Sequence, residues 1–178
     1  NFWVMMTCSG LTLTLYSTWA RPGWWKDVHI GVADVLLGAG LAAALWGVFW
    51  IGDKLSSMMF GFARPQVDMI YGMKEGENPL VLTLLMLFII GPAEEIFWRG
   101  FIQKNMSALR NPNWGFIMTT LVYSLVHVSK FNFMLIMAAA VAGFIWGLAY
   151  RFFPEKLGAI IISHALWDCA VFIWFPIM

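Results

Sequence analysis

The sequence predicts an all-α fold, a polytopic bundle of about six membrane-spanning helices enclosing a central polar cavity. Three observations predict it. Apolar residues occupy 61% of the 178 positions and charged residues only 12%, against about 45–50% and about 25% in soluble domains. The apolar residues fall into runs near the roughly 20 residues that cross a bilayer. The aromatic content is high, with 11 Trp and 15 Phe, and residues such as Trp24, Trp25, Trp46, Trp50 and Trp114 flank apolar runs as interfacial belts do. A chain this short could not bury so much apolar surface in one water-soluble core. Lipid is its solvent.

Six runs qualify as spans, at residues 1–20, 30–52, 79–105, 114–128, 132–153 and 157–174. The first begins without a basic region or a small-residue cleavage site, so no cleavable signal peptide is expected. Between the second and third lies the one long polar stretch, 53–78, which holds Lys54, Arg64, Asp68, Lys74, Glu75 and Glu77 among apolar residues. Part of it is expected to lie on the membrane surface as an amphipathic helix. The third run is long and contains Gly91-Pro92 at its middle. Proline removes a backbone hydrogen bond and bends or interrupts a helix, which lipid tolerates only beside protein or a wet cavity. That puts a cavity beside Glu94 and Glu95. The loops after the first, third and fifth runs carry Arg21, Lys26, Lys104, Arg110, Arg151 and Lys156, against Lys54, Arg64, Lys74 and Lys130 on the other side. The excess leans toward a cytoplasmic location for the first group. No repeat or low-complexity segment divides the chain, so residues 1–178 read as a single integral-membrane domain.

Composition also excludes functions. A net charge of +1 lacks the concentrated basic face that nucleic-acid binding needs. Cys8 and Cys169 sit inside apolar runs, with neither metal spacing nor a disulfide framework.

The informative residues are charges inside the spans. Each costs roughly 2.5–3.5 kcal/mol at mid-bilayer and therefore faces the bundle interior, where it is functional by default. The third span has Glu94-Glu95 followed by Arg99, the fourth has Tyr123 and His127, and the sixth has His164 and Asp168. Glu95 and Arg99 are four apart in the favourable order, so they are expected to pair and to support the site structurally. Glu94 is turned about 100° from Glu95 and is left to face a cavity. His164 and Asp168 share one face, where the carboxylate can orient the imidazole or both can hold one ligand. Tyr123, one turn before His127, can pack on its ring or donate a hydrogen bond.

No nucleophile elbow, His-Glu-x-x-His segment or phosphate loop is present. Ser124 and Ser163 are near the set, but nothing marks either as a nucleophile. A carboxylate with two imidazoles suits activation of water, in which a well-placed base contributes about 10²–10⁴ in rate. Equally, Glu94, His127 and His164 could hold Zn²⁺ with an open position for water. Spacing alone leaves both open. A bis-histidine haem site on His127 and His164 would leave Glu94, Glu95 and Arg99 without a task.

Glu94-Glu95-x-x-x-Arg99, Tyr123-x-x-x-His127 and His164-x-x-x-Asp168, in that order, resemble the intramembrane proteases of the CAAX protease and bacteriocin-processing family, which includes type II CAAX prenyl endopeptidases. The likeness covers residues 79–175. It implies an intramembrane endopeptidase of a bacterial or archaeal cell membrane, acting on a membrane-associated peptide or protein that is prenylated or bacteriocin-like. By position, Glu94 would activate water with His127, while His164 and Asp168 would stabilise the oxyanion or complete a metal site. Asp168 stands where prenyl endopeptidases usually show Asn, and an ionised Asp cannot donate to an oxyanion. It must be protonated, orient His164 or bind a metal. Tyr123 stands where Phe is common, a departure expected to cost little. A non-catalytic immunity or scaffold protein on the same fold is the alternative. The packing glycines Gly143 and Gly147 permit a dimer without demanding one.

Overall fold

The computed structural model describes residues 1–177, and among them every regular element is helical. Seven helices follow in order: α1 (Phe2–Ala20), α2 (Val32–Met59), α3 (Ala63–Gly72), α4 (Pro79–Leu109), α5 (Pro112–Leu125), α6 (Phe133–Phe152) and α7 (Pro154–Trp174). All six expected runs are helical. Four of the helices, α2, α4, α6 and α7, are long and apolar enough to cross a membrane by themselves. α5 is too short at 14 residues, and α1 is diluted by Thr and Ser. Those hydroxyls are hidden locally, because Thr7, Thr12, Ser17 and Thr18 each donate to the carbonyl four residues back.

Starts are set by local chemistry. Asn1, Asn78, Asn111 and Asn132 each accept backbone N–H groups at the first turn of α1, α4, α5 and α6, satisfying donors that a helix cannot. Proline follows directly at Pro79 and Pro112, where its missing N–H costs nothing. The polar stretch divides differently from expectation. α2 runs on to Met59, and only the ten residues of α3 form a separate helix. α3 is tied to the start of α6, since Asn132 donates to the Gln66 carbonyl and the Gln66 side chain accepts from the Met134 N–H.

Pro92 does not interrupt α4. The helix widens instead, with π-helical turns at Met86–Ile90 and Ile96–Gln103 enclosing one α-turn, Gly91–Glu95. The Gly91 N–H donates to the Met86 carbonyl five residues back. A π-turn absorbs the extra residue that a proline ring would otherwise force outward. The two glutamates thus sit on a short turn with loosened helix on each side.

α7 is the central helix. Of its most apolar 18 residues 67% are buried, against 17% for α2, so α7 packs on protein where α2 faces lipid. Trp146 and Tyr150 of α6, Leu45 of α2 and Ile160, Ile161 and Trp167 of α7 share one core. Trp3 of α1, Leu82, Met86 and Ile90 of α4 and Cys169 of α7 form a second. Lipid supplies no hydrophobic drive between helices, so close approach rests on small residues. At Gly91 a Cβ would lie 2.8 Å from the Ala165 Cα, which seats the glutamate turn directly on α7.

The loop after α1, itself outside the spans, is fastened to the later turns of α4. Asp27 accepts from Arg21 and Lys104, and Arg21 also donates to the Gly100 carbonyl. Burial opposes the Asp27 charge, but hydrogen bonds from Lys104 and Arg21 outweigh it and hold the carboxyl below its ordinary 3.8.

Three substitutions have defined outcomes. Gly91→Ala drives a methyl into the α7 backbone and lowers stability by about 1–3 kcal/mol, read as a lower thermal midpoint in detergent. Gly40→Ala, whose Cβ meets nothing within 4 Å, leaves the midpoint unchanged or higher. For Asp27 the folded carboxyl titrates below the unfolded one, so the stability it adds is complete above pH 3.8 and is lost as pH falls through the folded value. Asp27→Asn therefore lowers the midpoint at neutral pH, and the gap to the unsubstituted protein closes as the solution is taken below about pH 4.

Candidate active site

Glu94 and Glu95 are adjacent in sequence and opposite in environment. Glu95 points inward and is fully buried. Its Oε1 accepts from Arg99 Nη1 at 2.7 Å and from His164 Nδ1 at 2.7 Å. The i,i+4 pairing expected from spacing is present, and His164 joins it from α7. Arg99, also fully buried, donates through Nη2 to the Gly143 carbonyl at 3.1 Å. Its guanidinium lies 5.0 Å from the centre of the Tyr123 ring and 5.7 Å from that of Trp146. Cation–π contact and hydrogen bonds offset the desolvation of a charge that lipid would not accept alone.

Glu94 is half-buried and lines a cavity of about 960 Å³. Its Oε2 accepts from the Tyr123 hydroxyl at 2.9 Å. Tyr123 also meets the His127 ring edge-on at 5.3 Å, so both roles open to it from the sequence are filled, and its hydroxyl is not a passive replacement for Phe. His127 stands on a 3₁₀ turn, Val126–Lys130, that follows α5. Its Nδ1 is 2.8 Å from the Tyr123 carbonyl. A carbonyl only accepts, so Nδ1 carries the proton and Nε2 is the nitrogen available to a ligand. Phe131, which ends this turn, holds the left-handed conformation at φ 50°, rare for a bulky residue.

His164 has the same polarity. Nδ1–H donates to Glu95, and Nε2 turns toward Asp168 Oδ2 at 3.6 Å, ion-pair reach but too long for a hydrogen bond. The ring is clamped flat against Trp146, centroids 3.9 Å apart and planes 19° apart. Trp146 Nε1–H donates in turn to Ser163 Oγ. Glu94, Tyr123, His127, His164 and Asp168, from α4, α5 with its terminal turn and α7, all line the one cavity, whose remaining wall is mostly apolar. Glu95 and Arg99 stand behind that wall.

The candidate zinc set, Glu94, His127 and His164, lines this same cavity. Among the described residues no three His, Cys, Asp or Glu side chains are grouped as a metal would need. Glu95 takes Nδ1 of His164, and a backbone carbonyl takes Nδ1 of His127.

Trp146 and Gln103 are the residues that sequence reasoning did not single out. Gln103, four after Arg99, donates to the Gly147 carbonyl at 2.7 Å, as Arg99 does to that of Gly143. Two donors four apart on α4 therefore meet two carbonyls four apart on α6. The glycine spacing read as close packing was the signal. A Cβ at Gly143 would lie 2.7 Å from the Tyr123 ring.

A family profile described as type II CAAX prenyl endopeptidase Rce1-like matches residues 76–170, the stretch that carries every residue of this cluster. No curated protein and no solved structure matches the chain. For the cluster itself, Arg99→Ala is expected to cost about 3–5 kcal/mol, because Glu95 is left charged without its buried partner. Adding Glu95→Gln to that variant restores part of the loss, a non-additivity measured by thermal unfolding of the single and double variants.

Proposed function

The chain belongs to the Rce1-like type II CAAX prenyl endopeptidase family, and from that premise we propose that it is an intramembrane endopeptidase hydrolysing a peptide bond in a membrane-associated peptide or protein. The observation that carries the reading is the contrast between the two glutamates. One is neutralised by Arg99 and His164, and the other keeps an oxygen toward a cavity lined by His127 and Asp168. A carboxylate in an apolar enclosure is expensive to keep without a task.

The chemistry follows from the atoms available. A substrate carbonyl enters between the helices, and water held by Glu94 and His127 Nε2 attacks it while Glu94 removes a proton. Tyr123 fixes the Glu94 carboxylate so that its second oxygen meets the water. The negative charge that develops on the carbonyl oxygen is met by Nε2–H of His164 in its doubly protonated, cationic form, whose Nδ1–H stays on Glu95 and whose charge Glu95 and Asp168 balance. Stabilisation by a preorganised donor is typically the largest contribution in acyl transfer. Asp168 then orients His164, the second of the three roles open to it, and an Asp serves that role as well as an amide would. The C–N bond breaks as the proton passes from Glu94 or His127 to the leaving amine, giving a new carboxylate and a free amine. No step is assigned to a metal. The largely apolar cavity wall suits a substrate carrying a lipid group, whether prenylated or bacteriocin-like.

A fluorogenic membrane-peptide library incubated with the purified protein tests this. Cleavage is expected to fall by about 10²–10⁴ in Glu94→Gln and in His127→Ala, and to persist with a zinc chelator. Cleavage surviving both substitutions would remove the site assignment. Cell protection by Glu94→Ala with no cleavage by any form would establish the immunity alternative instead.

A further inference from the structure

A second concave site lies at the far end of the bundle from the mouth of the large cavity. It has a volume of about 380 Å³ and is lined by Lys26, His29, Lys104, Ser107, Tyr150 and Arg151, with Asp27 and Glu155 at its edges. Lys104 is ten residues along α4 from Glu94, about 15 Å along the axis. The pocket therefore stands apart from the glutamate cluster, where α1, α4 and α6 end and α5 and α7 begin.

Its charges are unevenly satisfied. Asp27 is already occupied by Arg21 and Lys104. The Lys26 ammonium has neither a hydrogen bond nor an ion pair among the described residues. Arg151 donates through Nε to Asn113 Oδ1 and lies 4.6 Å over the centre of the Phe152 ring, with its terminal nitrogens making no hydrogen bond among the described residues. Counting Arg21 behind the wall, four cations meet two carboxylates here, and one of those, Glu155, is at the exposed rim. Tyr150 is only 5% exposed, yet its hydroxyl makes no hydrogen bond among the described residues. A hydroxyl that opens into the pocket without a protein partner, beside surplus cations, is a donor set suited to an anion with several acceptor oxygens.

The surroundings identify the source of that anion. Trp25, Phe152 and Phe153, next in sequence to pocket residues, are 53%, 59% and 58% exposed, an apolar surface beside the cations with an interfacial-type Trp in it. The same end carries Arg21, Lys26, Lys104, Arg110, Arg151 and Lys156, the cation-rich side that the positive-inside rule assigns to the anionic cytoplasmic leaflet. We propose that this pocket binds the phosphate headgroup of an anionic phospholipid, with Lys26, Arg151 and the Tyr150 hydroxyl donating to its free oxygens and the acyl chains lying along the exposed aromatics.

Native mass spectrometry of the delipidated full chain, titrated with phosphatidylglycerol or with phosphatidylcholine of the same chains, tests this. One phosphatidylglycerol is expected to bind in preference to phosphatidylcholine. Lys26→Ala and Arg151→Ala each weaken it by about five-fold, and Tyr150→Phe weakens it by a few-fold. Lys130→Ala, which removes an exposed cation at the opposite end, leaves it unchanged. Equal binding of the two lipids would overturn the proposal, as would loss in Lys130→Ala matching that in Lys26→Ala. Competition by inorganic phosphate at the concentration of the lipid itself would show a soluble-anion site and overturn the lipid assignment.

Discussion

The bundle depends on one buried interaction, the carboxylate of Glu95 shared between Arg99 and His164. Neither charge would be tolerated alone at this depth, because transfer of an unpaired ion out of water costs several kcal/mol. Pairing within α4 neutralises Arg99, and the second contact, across to α7, fixes where α7 sits. Arg99 then reaches α6 through the Gly143 carbonyl and lies over Tyr123 on α5. Four helices are thereby indexed to one carboxylate. Lipid rewards their association only weakly, so a polar anchor with a single satisfied geometry supplies the register that a water-soluble core would obtain from packing.

That anchor also creates the functional asymmetry. Consecutive residues on a helix diverge by about 100°, so burying Glu95 in the ion cluster necessarily turns Glu94 another way, into the cavity. Trp146 and Glu95 together leave His164 no freedom about its ring. The supporting groups are more deeply buried than the groups they position, the arrangement expected where side chains must be held in place before a substrate arrives.

Much of this was legible in the sequence because lipid makes charges informative. Six helical runs, the Glu95–Arg99 pair and the shared face of His164 and Asp168 follow from hydropathy and i,i+4 spacing alone. The exact form of the Gly91-Pro92 region did not follow. Proline forecasts a distortion, but whether the chain breaks or widens into π-turns depends on how closely α7 approaches, which is a tertiary fact. The hydroxyl of Tyr123 was undervalued because its partner, Glu94, lies 29 positions away. Trp146 and Gln103 were silent because tryptophan and glutamine in a span have many uses, and only the α4–α6 register gives them one. For zinc, one carboxylate and two imidazoles from three elements suggest a ligand set; each imidazole gives Nδ1 to a protein acceptor and keeps Nε2 as the ligand atom, and whether the three side chains group depends on tertiary spacing that sequence does not carry.

Direct activation of water by Glu94 is the central step. A single-turnover digestion of a membrane peptide in heavy-oxygen water, followed by mass spectrometry of the product, reads that step. One labelled oxygen in the new carboxylate, no covalent adduct on the protein and loss of the product in Glu94→Gln are the results predicted. A peptide adduct on Ser124 or Ser163, or undiminished labelling by Glu94→Gln, would contradict it.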